Sequence, residues 1–255
     1  MGELEHKIAA LEAMMNLLRG NQAQTVRELI AVTRACVLPG LAVSARQFRC
    51  LCSLYGTTAL EALYLIDRLG KSFDVDGDVC EFGVAQGRTS ALIAATILDN
   101  NSSKRLWLYD SFEGLPAPSE KDTLLNDIFG LGSIGAYKGY IAIPEAEVIG
   151  ELSKQGFPEQ QVEICKGWIE ESLSVGRCPA KVAFAYLDMD FYRSTADALF
   201  MLAERMPSGG SIIVDDYGFF SAGVQTAVQE IMTARPGEFE LENPFGFKFA
   251  ILQKR

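Results

Sequence analysis

Six acidic residues end or follow runs of β-forming residues. Glu81 lies in Val-Cys-Glu-Phe-Gly, Asp110 in Leu-Trp-Leu-Tyr-Asp, Asp188 and Asp190 in Tyr-Leu-Asp-Met-Asp, and Asp215 and Asp216 in Ile-Ile-Val-Asp-Asp. In a parallel sheet the carboxyl ends of the strands share one edge, so six carboxylates from separate parts of the chain are expected to line one crevice. Such a concentration of negative charge is costly unless a ligand or a cation offsets it. Asp188 and Asp190 are two apart, so on an extended strand they share a face, and the neighbouring strand supplies Asp215 and Asp216. Carboxylates converging from adjacent strand ends make a hard oxygen site that suits Mg²⁺. No softer set competes, because His6 is the only histidine and the six cysteines (Cys36, Cys50, Cys52, Cys80, Cys165, Cys178) contain no Cys-x-x-Cys pair. Asp190 has a second explanation: it precedes Tyr192-Arg-Ser-Thr, where it could cap a helix.

The second chemical signal is the stretch Asp78-Val-Cys-Glu-Phe-Gly-Val-Ala-Gln-Gly-Arg-Thr-Ser90. It reads as a strand, a glycine turn and a helix, the opening unit of an α/β sheet. Glycines admit close approach of backbone amides to a ligand, and the helix N-terminus adds partial positive charge. The spacing is Glu-x-Gly-x-x-x-Gly, which differs from the Gly-x-Gly-x-x-Gly of dinucleotide sites. Asp110 lies about twenty residues further on, where an acid meets ribose hydroxyls. It could equally cap a turn with Ser111. Lys166-Gly-Trp168 ends another strand, and its indole either flanks a purine ring or belongs to the core.

The elements that must position these residues follow from periodicity. Strands are expected over 78–84, 106–112, 162–168, 182–190 and 210–217, with helices near 88–99, 145–155, 169–174, 194–205 and 222–234. Two last strands, 238–242 and 247–253, are separated only by Asn243-Pro-Phe-Gly246, too short for a helical crossover, so they form an antiparallel hairpin. Three helices precede the sheet. The first spans 3–19, with Leu4, Ile8, Leu11, Met15 and Leu18 along one seam; the second runs from Gln22 to Val37 and the third from Gln47 to Leu69. The expected organisation is therefore a helical cap and oligomerisation region over 1–72, followed by an α/β domain over 73–255. The glycine- and proline-rich stretch 113–144 leaves the ligand edge of the second strand, where a loop of that length reads as a lid.

Composition narrows the partners. The chain has 255 residues, 49% of them hydrophobic, and a net charge of −10, which argues against a nucleic acid or an anionic membrane surface. The N-terminus Met-Gly-Glu-Leu-Glu-His carries acids where a signal peptide carries bases, and no apolar run is long enough to span a bilayer. Reduced cysteines and a cytoplasmic location are the expectation.

Four stretches resemble the macrocin O-methyltransferase family. They are Glu81-Phe-Gly-Val-Ala-Gln-Gly-Arg, Tyr109-Asp-Ser-Phe-Glu-Gly-Leu-Pro116, Leu187-Asp-Met-Asp-Phe-Tyr-Arg-Ser-Thr195 and Gly209-Gly-Ser-Ile-Ile-Val-Asp-Asp-Tyr217. The resemblance covers roughly residues 75–255. It implies a class I methyltransferase Rossmann-like sheet and Mg²⁺-dependent O-methylation of a sugar with S-adenosylmethionine as donor. By the same resemblance Glu81, Gly83 and Gly87 hold the methionine end of the donor, and Asp110 holds the ribose with Ser111 and Phe112 beside it. Gln86, Arg88, Thr89, Ser90, Gly167, Trp168 and Asp188 complete the donor set. Asp188, Asp215 and Asp216 bind Mg²⁺, and Asp188 accepts the proton. Some relatives use a histidine near the substrate, and this chain has none in the stretch 113–144. Relatives are commonly homo-oligomers.

The acids do not choose the acceptor. A vicinal diol of a glycosylated natural product or polysaccharide, a catechol-like phenol and an amine all remain open. A nicotinamide-dependent oxidoreductase is disfavoured by the missing glycine fingerprint and the terminal hairpin, and a non-catalytic scaffold leaves the acids without a purpose.

Overall fold

A computed structural model of the chain describes residues 20–255. The expected helix 3–19 and its apolar seam lie outside the described residues. Residues 20–36 are helical (α1), and then come α2 (Ala45–Leu51) and α3 (Ala59–Lys71). The alternating part follows as β1 (Asp78–Phe82), α4 (Arg88–Asp99), β2 (Leu106–Asp110), α5 (Glu145–Gln155), β3 (Val162–Lys166), α6 (Ile169–Ser174), β4 (Val182–Leu187), α7 (Tyr192–Arg205), β5 (Ser211–Val214) and α8 (Ala222–Ala234). The chain closes with β6 (Phe239–Glu242) and β7 (Ala250–Lys254).

The strands form one seven-stranded sheet in the order β3-β2-β1-β4-β5-β7-β6. β1 to β5 pair in parallel, β7 pairs antiparallel with both β5 and β6, and the terminal hairpin is as expected. Alternate residues of each central strand feed two cores, because side chains on a strand point to opposite faces in turn. Val79, Leu106, Leu108, Phe184, Tyr186, Ile213 and Ile251 pack with α1 to α5. Cys80, Phe82, Tyr109, Cys165, Ala185, Leu187 and Ile212 pack with α6 to α8. The front helices thus build one face of the sheet rather than standing apart from it. Both Cys80 and Cys165 are buried free thiols within strands. Among the described residues no helix is long and apolar enough to cross a membrane.

Two sequence expectations need correction. The third front helix, expected to run unbroken from Gln47 to Leu69, is two helices separated by residues 52–58. Each has its own start signal. The Ser44 side chain and Gln47 form a capping box at α2, and the Thr58 side chain accepts the Glu61 amide at α3. Gly56, at φ +86°, turns the chain between them. The five parallel strands also stop two to three residues short of their expected ends. In four of the five cases the chain leaves the sheet through a left-handed residue: Gly83 (φ +79°), Phe112 (+57°), Gly167 (+122°) and Asp216 (+55°). After β4 the same conformation appears at Asp190 (φ +60°). Asp188, Asp190, Asp215 and Asp216 therefore sit on the loops beyond the strands, whereas Glu81 and Asp110 lie within β1 and β2, and the argument that Asp188 and Asp190 share a strand face does not apply.

Candidate active site

The turn after β1 is shaped from two sides. A Cβ at Gly83 would lie 1.8 Å from the Asp188 carbonyl oxygen, and one at Gly87 would lie 3.0 Å from the Val148 Cα. Both positions also have positive φ, so glycine is required on steric and conformational grounds alike. Asp110 holds the same turn. Its Oδ2 accepts the Val84 amide at 2.7 Å and the Ala85 amide at 3.0 Å, while Oδ1 accepts the Phe112 amide at 2.7 Å. Of the two roles open to Asp110, turn tie and ribose partner, the first is visible. An ionised carboxylate has about four acceptor positions, so one remains for a ligand.

A cavity of about 450 Å³ opens beside this turn at the carboxyl edge of the sheet. Gly83, Asp110, Ser111, Gly167, Trp168 and Asp188 of the expected donor set line it. Glu81, Gln86, Gly87, Arg88, Thr89, Ser90 and Phe112 do not. Arg88 pairs with Glu151 at 3.0 Å, Thr89 bonds the Thr57 hydroxyl at 2.7 Å, and Phe112 packs against the core under the Lys166 ammonium. Glu81 shares the parity of Val79 and so lies on the face of the sheet that packs against α4, outside the residues that line the cavity. Both its oxygens are buried without a hydrogen-bond partner, as is the Ser90 hydroxyl. Burial pushes the Glu81 carboxyl up to about 8. Only five of the six acids therefore reach the crevice.

Asp188, Asp190 and Asp216 each present an oxygen, all within 4.8 Å of one another. Octahedral Mg²⁺ with bonds of about 2.0–2.1 Å spaces its oxygens by about 2.9–4.2 Å, so a modest contraction fits these three around one ion. Burial first, and then repulsion from neighbouring carboxylates, with Asp215 the strongest of them on Asp188 and Asp216, hold the carboxyls of Asp188 and Asp190 well above the usual range and that of Asp216 at about 6. That is the state of an acid cluster short of positive charge. Asp215 stands apart from the trio. Its carboxylate accepts the Asp216 amide at 2.7 Å, the Tyr186 hydroxyl at 3.3 Å and the Lys248 ammonium at 3.0 Å. Of the expected metal set of Asp188, Asp215 and Asp216, the first and last belong to this group together with Asp190, and Asp215 lines the same cavity. Nor is Asp190 a helix cap: Phe191 is the N-cap of α7, and the Tyr192 amide donates to Asp122 instead.

Residues 113–144 lie over the cavity and contribute Gly114, Leu115, Pro116, Ile128, Phe129 and Ile141 to its wall. Asp122 fixes this segment. It accepts from the Ser119 amide and hydroxyl, the Tyr192 amide and the Ser221 hydroxyl. Tyr137 inserts beneath it against Phe191 and Phe220, with its hydroxyl donating to Asp127 at 2.6 Å.

The sequence profile of the family described as macrocin-O-methyltransferase (TylF) matches residues 52–242.

The chain belongs to this family.

Among its relatives is the 8-demethyl-8-(2,3-dimethoxy-alpha-L-rhamnosyl)-tetracenomycin-C 4'-O-methyltransferase of Streptomyces olivaceus. It is 33% identical over 144 residues, which are 56% of this chain and 54% of that protein. The demethyldecarbamoylnovobiocin O-methyltransferase of Streptomyces niveus is 30% identical over 145 residues, again 56% of this chain and 54% of the relative. The match therefore spans about half the length of these curated relatives. The solved structure of the O-methyltransferase NovP superposes with a TM-score of 0.64 at 24% identity, covering 77% of this chain and 81% of that one. The sheet with its antiparallel end and this likeness give the class I methyltransferase fold.

For this member of the macrocin-O-methyltransferase family, sequence reasoning missed Lys248 and the segment carrying Tyr55, Gly56 and Thr58, all of which line the cavity. The second had a legible signal in Thr58-x-x-Glu61, a helix start hidden inside an apparently continuous helix. Lys248 had none, because only the β5–β7 register brings it to the acids.

Proposed function

We propose that this protein is an S-adenosylmethionine- and Mg²⁺-dependent O-methyltransferase acting on a sugar hydroxyl of a glycosylated small molecule. The observation that carries this is the joint placement of the glycine turn, Asp110 and Trp168 in one cavity with Asp188, Asp190 and Asp216. The fit of the donor rests on a turn that cannot carry a Cβ at Gly83, a carboxylate with a free acceptor position at Asp110, and an indole at Trp168. The fit of the metal rests on three converging oxygens and on carboxyl groups held above their usual range.

Family membership and the names of the two curated relatives support the acceptor class. So does the mouth of the cavity, where Tyr55, Ile128 and Phe129 are 64%, 42% and 39% exposed. An apolar mouth above a charged floor suits an acceptor with an apolar body and a polar sugar. A catechol presents the same oxygen pair to the floor and is the second candidate. Cytoplasmic location and a homo-oligomeric state belong to the same proposal.

When bound, Mg²⁺ would supply Lewis acidity to an acceptor hydroxyl, held by Asp188, Asp190 and Asp216. When bound, S-adenosylmethionine supplies the sulfonium methyl. The chain's own part is placement and proton transfer. Gly83 and Asp110 set the backbone of the donor turn, and the Gly83–Asp188 contact fixes that turn relative to the acids. In-line attack needs this mutual placement rather than a covalent intermediate. The proton leaving the hydroxyl passes to a carboxylate of the cluster. Asp188 is the expected acceptor, and Asp190 shares its position in the trio. The segment 113–144 excludes water above them.

The test is transfer of labelled methyl to a glycoside with a free vicinal diol, set against its aglycone and a catechol. We expect transfer to the glycoside alone, abolished by excess chelator. Transfer that survives chelation would remove the metal from the mechanism, and transfer to the aglycone would remove the sugar.

A further inference from the structure

Lys248 lies in the connection between β6 and β7. Pairing of Val214 with Ala250 sets the antiparallel register, and carrying it onward brings Lys248 opposite Asp216. The Asn243 side chain frames the lysine, donating to the Phe247 carbonyl at 2.8 Å and to the Phe249 carbonyl at 2.6 Å. The ammonium lies 3.0 Å from Asp215 Oδ1, 3.5 Å from Asp216 Oδ1 and 3.5 Å from the Gly56 carbonyl. The lysine side chain is only 15% exposed. Among the described residues that line the cavity it is the only cation, facing Asp110, Asp188, Asp190, Asp215 and Asp216.

Two features of this arrangement bear on the metal. Asp216 is shared, with one carboxylate between the lysine and the trio. Asp215 is committed to Lys248 and Tyr186. An ammonium placed here neutralises part of the cluster in the absence of metal and repels a divalent ion that approaches the same oxygens.

We propose that Lys248 is a positioning residue, the built-in counter-ion of the acid cluster, which preorganises Asp215 and Asp216 and limits the site to a single, moderately bound divalent ion. This inference rests on the metal dependence given under Proposed function. Replacing the ammonium by an apolar chain of similar length leaves Asp215 and Asp216 uncompensated, so a divalent ion becomes the only means of offsetting them.

The experiment is titration of the full chain with Mn²⁺ alone, followed by electron paramagnetic resonance of the free ion, with thermal unfolding measured in parallel. For Lys248→Met we expect Mn²⁺ affinity to rise about tenfold or more, from removal of a like charge near the ion. The metal-free Tm should fall, and Mn²⁺ should raise it further than it does in the wild type. Lys248→Arg should keep the wild-type affinity. Lys248→Gln, which retains a donor toward Asp215 without the charge, makes the same comparison if Lys248→Met does not fold. Unchanged or weaker Mn²⁺ binding in the neutral variants, with binding intact in the wild type, would overturn the counter-ion role and leave the metal in place. No Mn²⁺ binding by the wild type or the variants would overturn both.

Discussion

The Cα of Gly83 faces the carbonyl oxygen of Asp188 so closely that a Cβ there would come within 1.8 Å of it. The same segments are joined by the Asp188 amide, which donates to Phe82 O at 2.8 Å. The turn assigned to the methyl donor and the loop that starts the acid cluster are therefore one packed unit, and neither can shift alone. Gly83→Ala must push them apart and also hold a non-glycine residue at φ +79°. We expect a loss of stability of roughly 3 kcal/mol or more, with loss of S-adenosylhomocysteine binding. Urea unfolding and calorimetry check both, and a variant of wild-type stability would show that the two loops move independently.

Asp110 gives a second prediction. Its carboxylate holds the amides of Val84, Ala85 and Phe112. Asp110→Ala leaves these amides without their acceptor. At about 1–3 kcal/mol for a stranded buried group, S-adenosylhomocysteine affinity should fall at least tenfold, along with stability. If stability falls but affinity does not, the residue serves the turn alone.

Glu81 makes stability depend on pH in an unusual direction. Burial raises its carboxyl from 4.5 to about 8. Below about pH 4.5 the group is protonated in both the folded and unfolded chains and contributes nothing. Between there and about pH 8 the unfolded chain releases the proton and the folded chain keeps it, so this group lowers stability as pH rises. Glu81→Gln should flatten that fall and be the more stable protein at pH 9, by up to a few kcal/mol, since tenfold in proton affinity is about 1.4 kcal/mol. Tm against pH for the two proteins tests it, and parallel curves would contradict it.

The chain has two tryptophans, and only Trp168 lines the cavity, while Trp107 donates to Asp78 at 3.0 Å. If Trp168 flanks the donor's purine, S-adenosylhomocysteine should change tryptophan emission in the wild type. Trp168→Phe should lose that change and should bind roughly 2- to 12-fold more weakly, matching about 0.5–1.5 kcal/mol for an aromatic pair. An undiminished signal in the variant would place the indole in the core.

Much of this architecture is legible in the sequence, and what is not has physical causes. Runs of β-forming apolar residues located every strand, and the short Asn243–Gly246 link foretold the antiparallel end. Strand ends were misplaced because residues such as Phe112 and Asp216 adopt left-handed backbone that their type does not announce. Asp190 looked like a helix cap because the following residues start a helix; the acceptor for Tyr192 is Asp122, 70 positions away. Glu81, whose place beside the glycines suggested a ligand contact, lies within β1 on the face packed against α4 and does not line the cavity. Lys248 meets Asp215 and Asp216 only through a strand register that no local pattern encodes.

On the proposed function, Asp188, Asp190 and Asp216 form one cation site next to, yet separable from, the donor turn. The most direct measurement is paired calorimetry of wild type and Asp216→Asn with S-adenosylhomocysteine and with Mn²⁺. We predict that the substitution weakens Mn²⁺ binding by about 30-fold or more while S-adenosylhomocysteine binding stays within about threefold, as expected when one of three charged ligands is lost and that ligand lies outside the donor set. Equal Mn²⁺ affinity in the two proteins would contradict it.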